Sequence, residues 1–214
     1  MNKFYLPKLL PLPRKYIRVF LMLLVVSLLG ACRSGPPPKL YILDTLPKYI
    51  EQRSASNISV LGVSQIQLPG YASDTRLASI KPNGTISLDK NHKWADEPEQ
   101  AITRLLIDRL RNHTGATVLP KPWPRESEPT VRVELVFDRL LRGPEGGAQM
   151  AGQILLISGN GRQLLRSVPF RIIRNGLSKK KHVFFTSVSQ GIDCLLYTSP
   201  SPRDATLSRM PSSA

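Results

Sequence analysis

The chain has 214 residues, with 30 lysines and arginines against 15 acidic residues, 41% hydrophobic residues and two cysteines. This length suits one domain with short appendages, and the apolar fraction is that of a globular protein, which excludes wholesale disorder. Two cysteines cannot build a disulfide scaffold or a four-cysteine zinc site. The formal charge of +15 includes both termini, which the patterns below separate from the mature domain.

The N-terminal segment has the pattern of an export signal. Residues 1–18 contain five basic residues and no acidic one, and an uncharged apolar run follows from Val19 to Leu29. As a helix this run would span roughly 16 Å, too short for the ~30 Å hydrocarbon core of a membrane. The run ends in a tetrapeptide that resembles a bacterial lipobox, whose cysteine receives diacylglycerol: Leu29, Gly30, Ala31 and Cys32. We predict a lipoprotein signal peptide over residues 1–31 and lipidation of Cys32. An ordinary signal peptide with a chance cysteine is the alternative.

The residues after Cys32 predict the membrane that holds the protein. Arg33 directly follows the cysteine, whereas an acidic residue at this place generally retains a lipoprotein in the inner membrane of Gram-negative cells. The periplasmic face of the outer membrane is therefore favoured. Residues 32–38 form a tether that ends in three prolines, which favour stiff polyproline II structure.

The mature segment keeps a basic bias. Residues 33–192 hold 23 basic residues against 13 acidic ones. For an exported protein this excess favours anionic lipid headgroups as partners, and nucleic acid is not expected.

The C-terminal residues lack the apolar periodicity of the domain before them. Residues 194–204 match, residue for residue, one reading frame of a common transposase-adapter DNA used in sequencing. We interpret residues 194–214 as a non-native tail and residues 39–193 as a C-terminally truncated domain. This interpretation predicts a poorly ordered tail, a missing final helix, and solvent exposure of Phe184 and Phe185.

The first half of the domain is predicted to hold strands. Residues 39–43 are a short strand candidate, and the apolar, β-branched residues 57–71 indicate a mostly buried strand. Residues 75–80 and 85–88 flank Lys81-Pro82-Asn83-Gly84, whose Pro and Asn-Gly suit a turn. A hairpin is therefore expected there.

One amphipathic helix follows. Asp96 is the expected N-cap, Pro98 fits the first turn, and Gly115 is a suitable C-terminal stop. Asp96, Glu97 and Glu99 are interpreted as carboxylates that cap this helix, in preference to a catalytic cluster. Apolar residues at helical spacing predict a stripe toward a core, formed by Ile102, Leu105, Leu106 and Leu110.

A β-meander is predicted after the helix. Residues 130–138, 149–157 and 164–174 indicate strands that are joined by glycine-rich turns. Pro169 lacks the N–H that a central strand needs, which favours an edge strand or a bulge there. The order of elements predicts an α+β domain, a mostly antiparallel sheet packed with at least one amphipathic helix.

The pattern resembles a known family, the ABC-type transport auxiliary lipoproteins, which include the paraquat-inducible protein C and YmbA-like lipoproteins. The residues that carry the resemblance lie in order along nearly the whole mature domain. They are Cys32, the strand Tyr41-Ile42-Leu43, an apolar block from Ile58 through Val60, Val63, Ile66, Leu68 and Pro69 to Tyr71, the segment Trp94-Ala95-Asp96 with Pro98 before a leucine-rich helix, and the strand from Val131 to Phe137. The chain departs from the family in lacking a basic strand after Tyr71 and in its C-terminus.

The resemblance implies an accessory, non-enzymatic role in moving lipid between the inner and outer membranes. The implied partners are the membrane itself, the permease of an ABC transporter and substrate-binding proteins of the mammalian cell entry type, and the resemblance also allows a homo-oligomer.

The alternative function is an envelope-anchored hydrolase or amidase. The sequence contains few residues in a pattern that could catalyse such a reaction. His92, His113 and His182 lie in or next to predicted loops without metal-ligand spacing, so we expect them to be exposed and expect no metal or cofactor. No serine elbow, zinc-protease motif or phosphate-binding loop is present, and Gly159-Asn160-Gly161 is interpreted as a hairpin turn.

The remaining candidates are contact residues. Tyr71 and Trp94 hold family-like positions, where packing is the main interpretation and contact with lipid or a partner is the alternative. The basic run of Lys179, Lys180 and Lys181 is interpreted as a solvated hairpin loop or as a contact with anionic headgroups or an acidic partner.

Overall fold

The structure is a computed structural model that describes residues 36–43, 59–124, 127–176 and 178–198, together with the single positions 15, 18 and 22. The chain divides into two units, residues 1–37 and 38–214. In the first unit positions 15, 18 and 22 are helical, residues 36 and 37 are not, and the lipobox lies outside the described residues. None of the described helices is both long enough and apolar enough to cross a bilayer.

The second unit contains eight strands and two helices within the described residues. In chain order they are β1 (Lys39–Tyr41), β2 (Val60–Val63), β3 (Arg76–Ile80), β4 (Ile86–Trp94), α1 (Pro98–Thr114), β5 (Thr117–Pro120), β6 (Val131–Arg142), β7 (Ala148–Ser158), β8 (Leu164–Ile173) and α2 (His182–Thr198).

All eight strands belong to one mixed sheet in which β6 is central. The order runs β1-β4-β3-β6-β2-β5, and β7 pairs with β6 on one edge and with β8 on the other. The long pairings are antiparallel, because tight turns join β3 to β4, β6 to β7 and β7 to β8. The short pairings of β1 with β4 and of β2 with β5 and β6 are parallel. The predicted α+β class with a mostly antiparallel sheet is confirmed.

The meander and the hairpin formed where the turn residues predicted them. β8 pairs only with β7, so Pro169 lies on an edge strand, as expected. β4 continues through Trp94, further than the predicted end at residue 88.

The strand predicted over residues 57–71 is shorter than expected. Of its described residues, 59–71, only Val60–Val63 forms a strand, and one bridge joins Gln67 to Val136 further along. Between them the N–H of Ile66 donates to Thr103 Oγ1 of α1 at 3.2 Å. The apolar pattern arises because the segment is buried against a helix, and burial alone does not distinguish that from a strand. β5, which pairs with β2, was not predicted.

The first helix confirms the predicted stripe and corrects its cap. Ile102, Leu105, Leu106 and Leu110 are buried in the core. Gly115 ends the helix in the left-handed region at φ +66°, which glycine adopts without steric cost. Asp96 is not the N-cap. Pro98 keeps the preceding residue extended, so Glu97 takes the N-cap position and makes no side-chain capping bond.

The second helix overturns the prediction that a final helix is missing. Lys179–Lys181 precedes α2 and is not a hairpin loop, while Phe184 and Phe185 are buried and not exposed. Buried residues recur at helical spacing through the predicted junction at position 194: Phe184, Val188, Ile192 and Leu195. The adapter origin of residues 194–214 stays a prediction. Residues 194–198 are helical, and residues 199–214 lie outside the described chain.

One hydrophobic core joins the sheet to both helices. It contains residues from β2, β6 and β7 together with the buried faces of α1 and α2. Arg109 of α1 donates from Nε to Asp193 Oδ1 of α2 at 2.6 Å, which links the helices by an ion pair within the packed region.

Candidate functional site

An aromatic cluster joins the start of α2 to β1 and β4. Tyr41 stacks on Phe185 with ring centroids 4.7 Å apart, and Trp94 meets Phe185 and Phe184 edge-on at 5.0 and 5.9 Å. Trp94 is only 4% exposed. Edge-to-face and offset contacts of this kind stabilise aromatic cores, so packing accounts for Trp94.

A small cleft of about 260 Å³ lies beside this cluster, lined by Tyr41, Ile42 and the start of α1. Arg104 pairs with Asp96 at its wall. The hydrogen bond from Arg104 is the main reason that the pKa of Asp96 lies below its ordinary value, with the N–H of Glu97 contributing. Asp96 therefore acts as an ion-pair partner of α1, where the sequence predicted a cap.

A larger groove of about 600 Å³ lies between the β3–β4 hairpin, the β6–β7 turn and the loop before α2. It is lined by more basic than acidic side chains, and we call it the basic groove. The basic residues are Lys81, Lys90, Arg142, Lys179 and Lys181, and the acidic ones are Asp89 and Glu145.

Asp89 on β4 organises one side of this basic groove. Its Oδ2 lies 3.0 Å from Lys181 Nζ and 3.0 Å from His92 Nδ1. Burial raises the pKa of Asp89, but the hydrogen bonds from Lys181, Asn91 and His92 outweigh it and hold this pKa below its ordinary value. The positive charge of Lys181 is thereby paired with the carboxylate of Asp89, while Lys179 and Lys180 remain exposed.

Arg142 is a largely buried residue that lines the basic groove. It is the last residue of β6 and is only 9% exposed, and its Nη2 donates to the carbonyl oxygen of Lys179 at 2.7 Å. Burial lowers the pKa of Arg142, and the charge of Asp89 opposes this change. The contact joins the end of a central strand to the basic run.

A family model described as the ABC-type transport auxiliary lipoprotein component matches residues 41–195, which is more than half of the chain. The chain belongs to this family. Membership gives the protein an accessory role in ABC-type transport and an association with the cell envelope. The resemblance seen in the sequence is thus confirmed.

Solved structures share the fold of this chain. One is the crystal structure of an uncharacterized protein, 17% identical, with a TM-score of 0.60 over 75% of this chain and 94% of that one. Another is protein XCC0632 from Xanthomonas campestris, of the family model DUF330, 12% identical, with a TM-score of 0.53 over 73% of this chain and 90% of that one. No curated protein sequence matches the chain.

The structure brings together some of the contact residues predicted from the sequence. Lys179 and Lys181 line one groove, whereas Lys180 does not. Tyr71 is half-buried against the core, and its predicted contact with lipid or a partner stays a prediction. Leu29, Gly30, Ala31 and Cys32 lie outside the described residues.

Two groove residues, Ser79 and Arg142, were missed by the sequence reading. The predicted strand ended at Asp138, because Arg139 interrupts the alternation. The structure shows a bulge between Phe137 and Arg139, after which β6 continues to Arg142. The adjacent apolar residues Leu140 and Leu141 after this bulge were the available signal.

His92 and His113 are less exposed than expected, whereas His182 is exposed as expected. His92 lies within β4 and His113 near the end of α1, and both are partly buried, while His182 is the exposed first residue of α2. Over the described ranges no three His, Cys, Asp or Glu side chains are arranged to hold a metal ion.

Proposed function

We propose that the chain is a non-enzymatic, lipid-anchored accessory component of an intermembrane lipid transport system of the ABC and mammalian cell entry type. The observation that carries this proposal is the family match over residues 41–195, which spans nearly all of the second unit. Cys32 would anchor the protein in the outer membrane, and the folded unit would contact the permease or the substrate-binding proteins.

The described fold is consistent with a docking role. The aromatic side chains at the start of α2 pack in the core. Several charged residues form structural ion pairs, such as Asp96 with Arg104 and Arg109 with Asp193. The surface that remains available, including the basic groove, suits recognition of a charged partner.

The proposal is tested by co-expressing the tagged full chain with the permease, ATPase and substrate-binding protein of a transporter of the mammalian cell entry type from the same organism. We expect the substrate-binding protein to co-purify in detergent at a fixed ratio. A variant that disrupts the fold, Leu105→Asp, is the negative control, because Leu105 is fully buried. A purified chain that does not bind these proteins and that hydrolyses envelope substrates would support the hydrolase alternative instead.

The anchor gives a separate prediction. Cys32→Ala should move the protein from the membrane pellet to the soluble periplasmic fraction and abolish its labelling by palmitate. The lipid chains of a triacylated cysteine bury many methylene groups, each worth about 0.8 kcal/mol. The measurement is fractionation and metabolic labelling of the two forms.

Cys194→Ser is the matched control for this change, because Cys194 lies in α2 and we expect it to carry no lipid. It should fractionate and label as the parent chain does. Palmitate labelling that survives Cys32→Ala would show that the lipobox interpretation is wrong.

A further inference from the structure

The basic groove contains buried polar atoms whose hydrogen-bonding capacity is not used. Arg142 Nε and Ser79 Oγ are both shielded from solvent, and neither has a hydrogen-bond partner within the described part of the chain. The two residues are paired in register where β3 meets β6. A buried donor without a partner costs about 1–3 kcal/mol, so such a pair calls for a binding partner.

The charge around these atoms favours an anion. Among the described residues no carboxylate lies within ion-pair distance of Lys81, Lys90 or Lys179. Asp89, whose negative charge raises the pKa of Arg142, is already engaged by Lys181 and His92. A concave surface with this excess of positive charge raises the local concentration of anions.

The groove is held in shape by close backbone contacts. Gly146 has φ +92°, and a Cβ there would lie 2.5 Å from the carbonyl oxygen of Ser178 and 3.2 Å from Arg142 Nη2. The β6–β7 turn therefore presses directly on the loop that carries Lys179. Together with the Arg142 to Lys179 hydrogen bond, this contact holds the Arg142 guanidinium and the backbone of Lys179 in place before a ligand binds, which lowers the entropic cost of binding.

We propose that this groove binds a phosphate group, with Arg142, Ser79 and Lys179 as its donors. The guanidinium, the hydroxyl and the ammonium belong to three different elements, β6, β3 and the loop before α2. Donors carried by three elements suit the tetrahedral oxygens of phosphate better than the planar pair of a carboxylate. The volume of about 600 Å³ accommodates a glycerophosphate headgroup. The source of the phosphate is a lipid headgroup or a free phosphate compound, and the site does not depend on the transport role proposed above.

The test compares two neighbouring lysines that carry the same charge. Lys179 lines the groove and Lys180 does not, and both are exposed. The full lipidated chain in detergent is titrated with sn-glycerol 3-phosphate and with inorganic phosphate by calorimetry. We expect Lys179→Gln to weaken binding about tenfold, as the loss of one charge-assisted hydrogen bond does, and Lys180→Gln to change it less than about twofold.

Ser79→Ala and Arg142→Gln complete the test. Ser79→Ala removes one donor with little change in shape and should also weaken binding, even if Arg142→Gln fails to fold. Tighter binding of glycerol phosphate than of inorganic phosphate would identify a headgroup as the source, and tighter binding of inorganic phosphate would identify a free phosphate compound.

Vesicles of phosphatidylcholine with and without phosphatidylglycerol extend the comparison to intact lipid. If both lysine variants reduce vesicle binding equally and neither soluble phosphate binds, the groove is only part of a diffuse basic surface and the proposal is wrong. Binding of an acidic peptide in the absence of phosphate binding would also overturn it.

Discussion

Replacing Phe184 by alanine is expected to lower the free energy of unfolding by about 3–5 kcal/mol, a large part of the stability of a domain of this size. Phe184 is 2% exposed and contacts Trp94 edge-on at 5.9 Å and Phe185 at 5.2 Å. Removing the ring leaves a cavity where α2 meets β4 and also removes the edge-to-face contacts. Urea denaturation followed by circular dichroism measures the change.

Thr186→Ala is the matched control for this substitution. Thr186 lies in the same turn of α2 but is exposed, so its replacement should change stability by less than about 0.5 kcal/mol. An equal, small effect of both substitutions would mean that Phe184 is exposed in solution, as the truncation interpretation predicts.

Replacing Asp193 by alanine should cost about 3 kcal/mol, the lower end of the range for breaking a buried ion pair. Arg109 is 3% exposed and donates to Asp193 at 2.6 Å, so the substitution takes away the closest carboxylate of a buried charge. The cost is at the lower end because Asp193 is partly exposed and Asp108 lies 3.3 Å from Arg109 Nη1. Denaturation in urea again provides the measurement.

Asp108→Ala provides the comparison, because Asp108 contacts the same guanidinium from a more exposed position and at a longer distance. It should cost less than about 1 kcal/mol. The double variant Arg109→Met with Asp193→Leu should recover most of the loss, since apolar residues can replace a buried ion pair without destabilisation. A double variant that is less stable than Asp193→Ala would contradict this account.

Local patterns were sufficient for several elements of the fold. The β3–β4 hairpin and the β7–β8 turn were predictable because Asn and Gly supply the required turn geometry within a few residues. The buried stripe of α1 and the edge position of Pro169 were predictable for the same reason. Each depends on the spacing or backbone chemistry of neighbouring residues.

The errors occurred where one local signal competed with another. Asp96 has a favourable N-cap side chain, but Pro98 constrains Glu97 and moves the cap by one residue. In α2 the apolar spacing from Phe184 to Leu195 was present in the sequence, but the match of residues 194–204 to adapter DNA outweighed it. The helical continuation through residue 198 shows that local foldability and the origin of a segment are separate questions.

The sequence by itself determined the family, the class of fold and the predicted lipid anchor, because ordered motifs and short-range periodicity carry that information. Only the tertiary structure decided the parallel pairings of β2 and the position of the basic groove. Ser79, Arg142 and Lys179 are separated by tens of residues, and they meet because β3, the end of β6 and the loop before α2 converge. No local pattern encodes such a meeting, since it depends on strand order and on a bulge that extends β6 to Arg142.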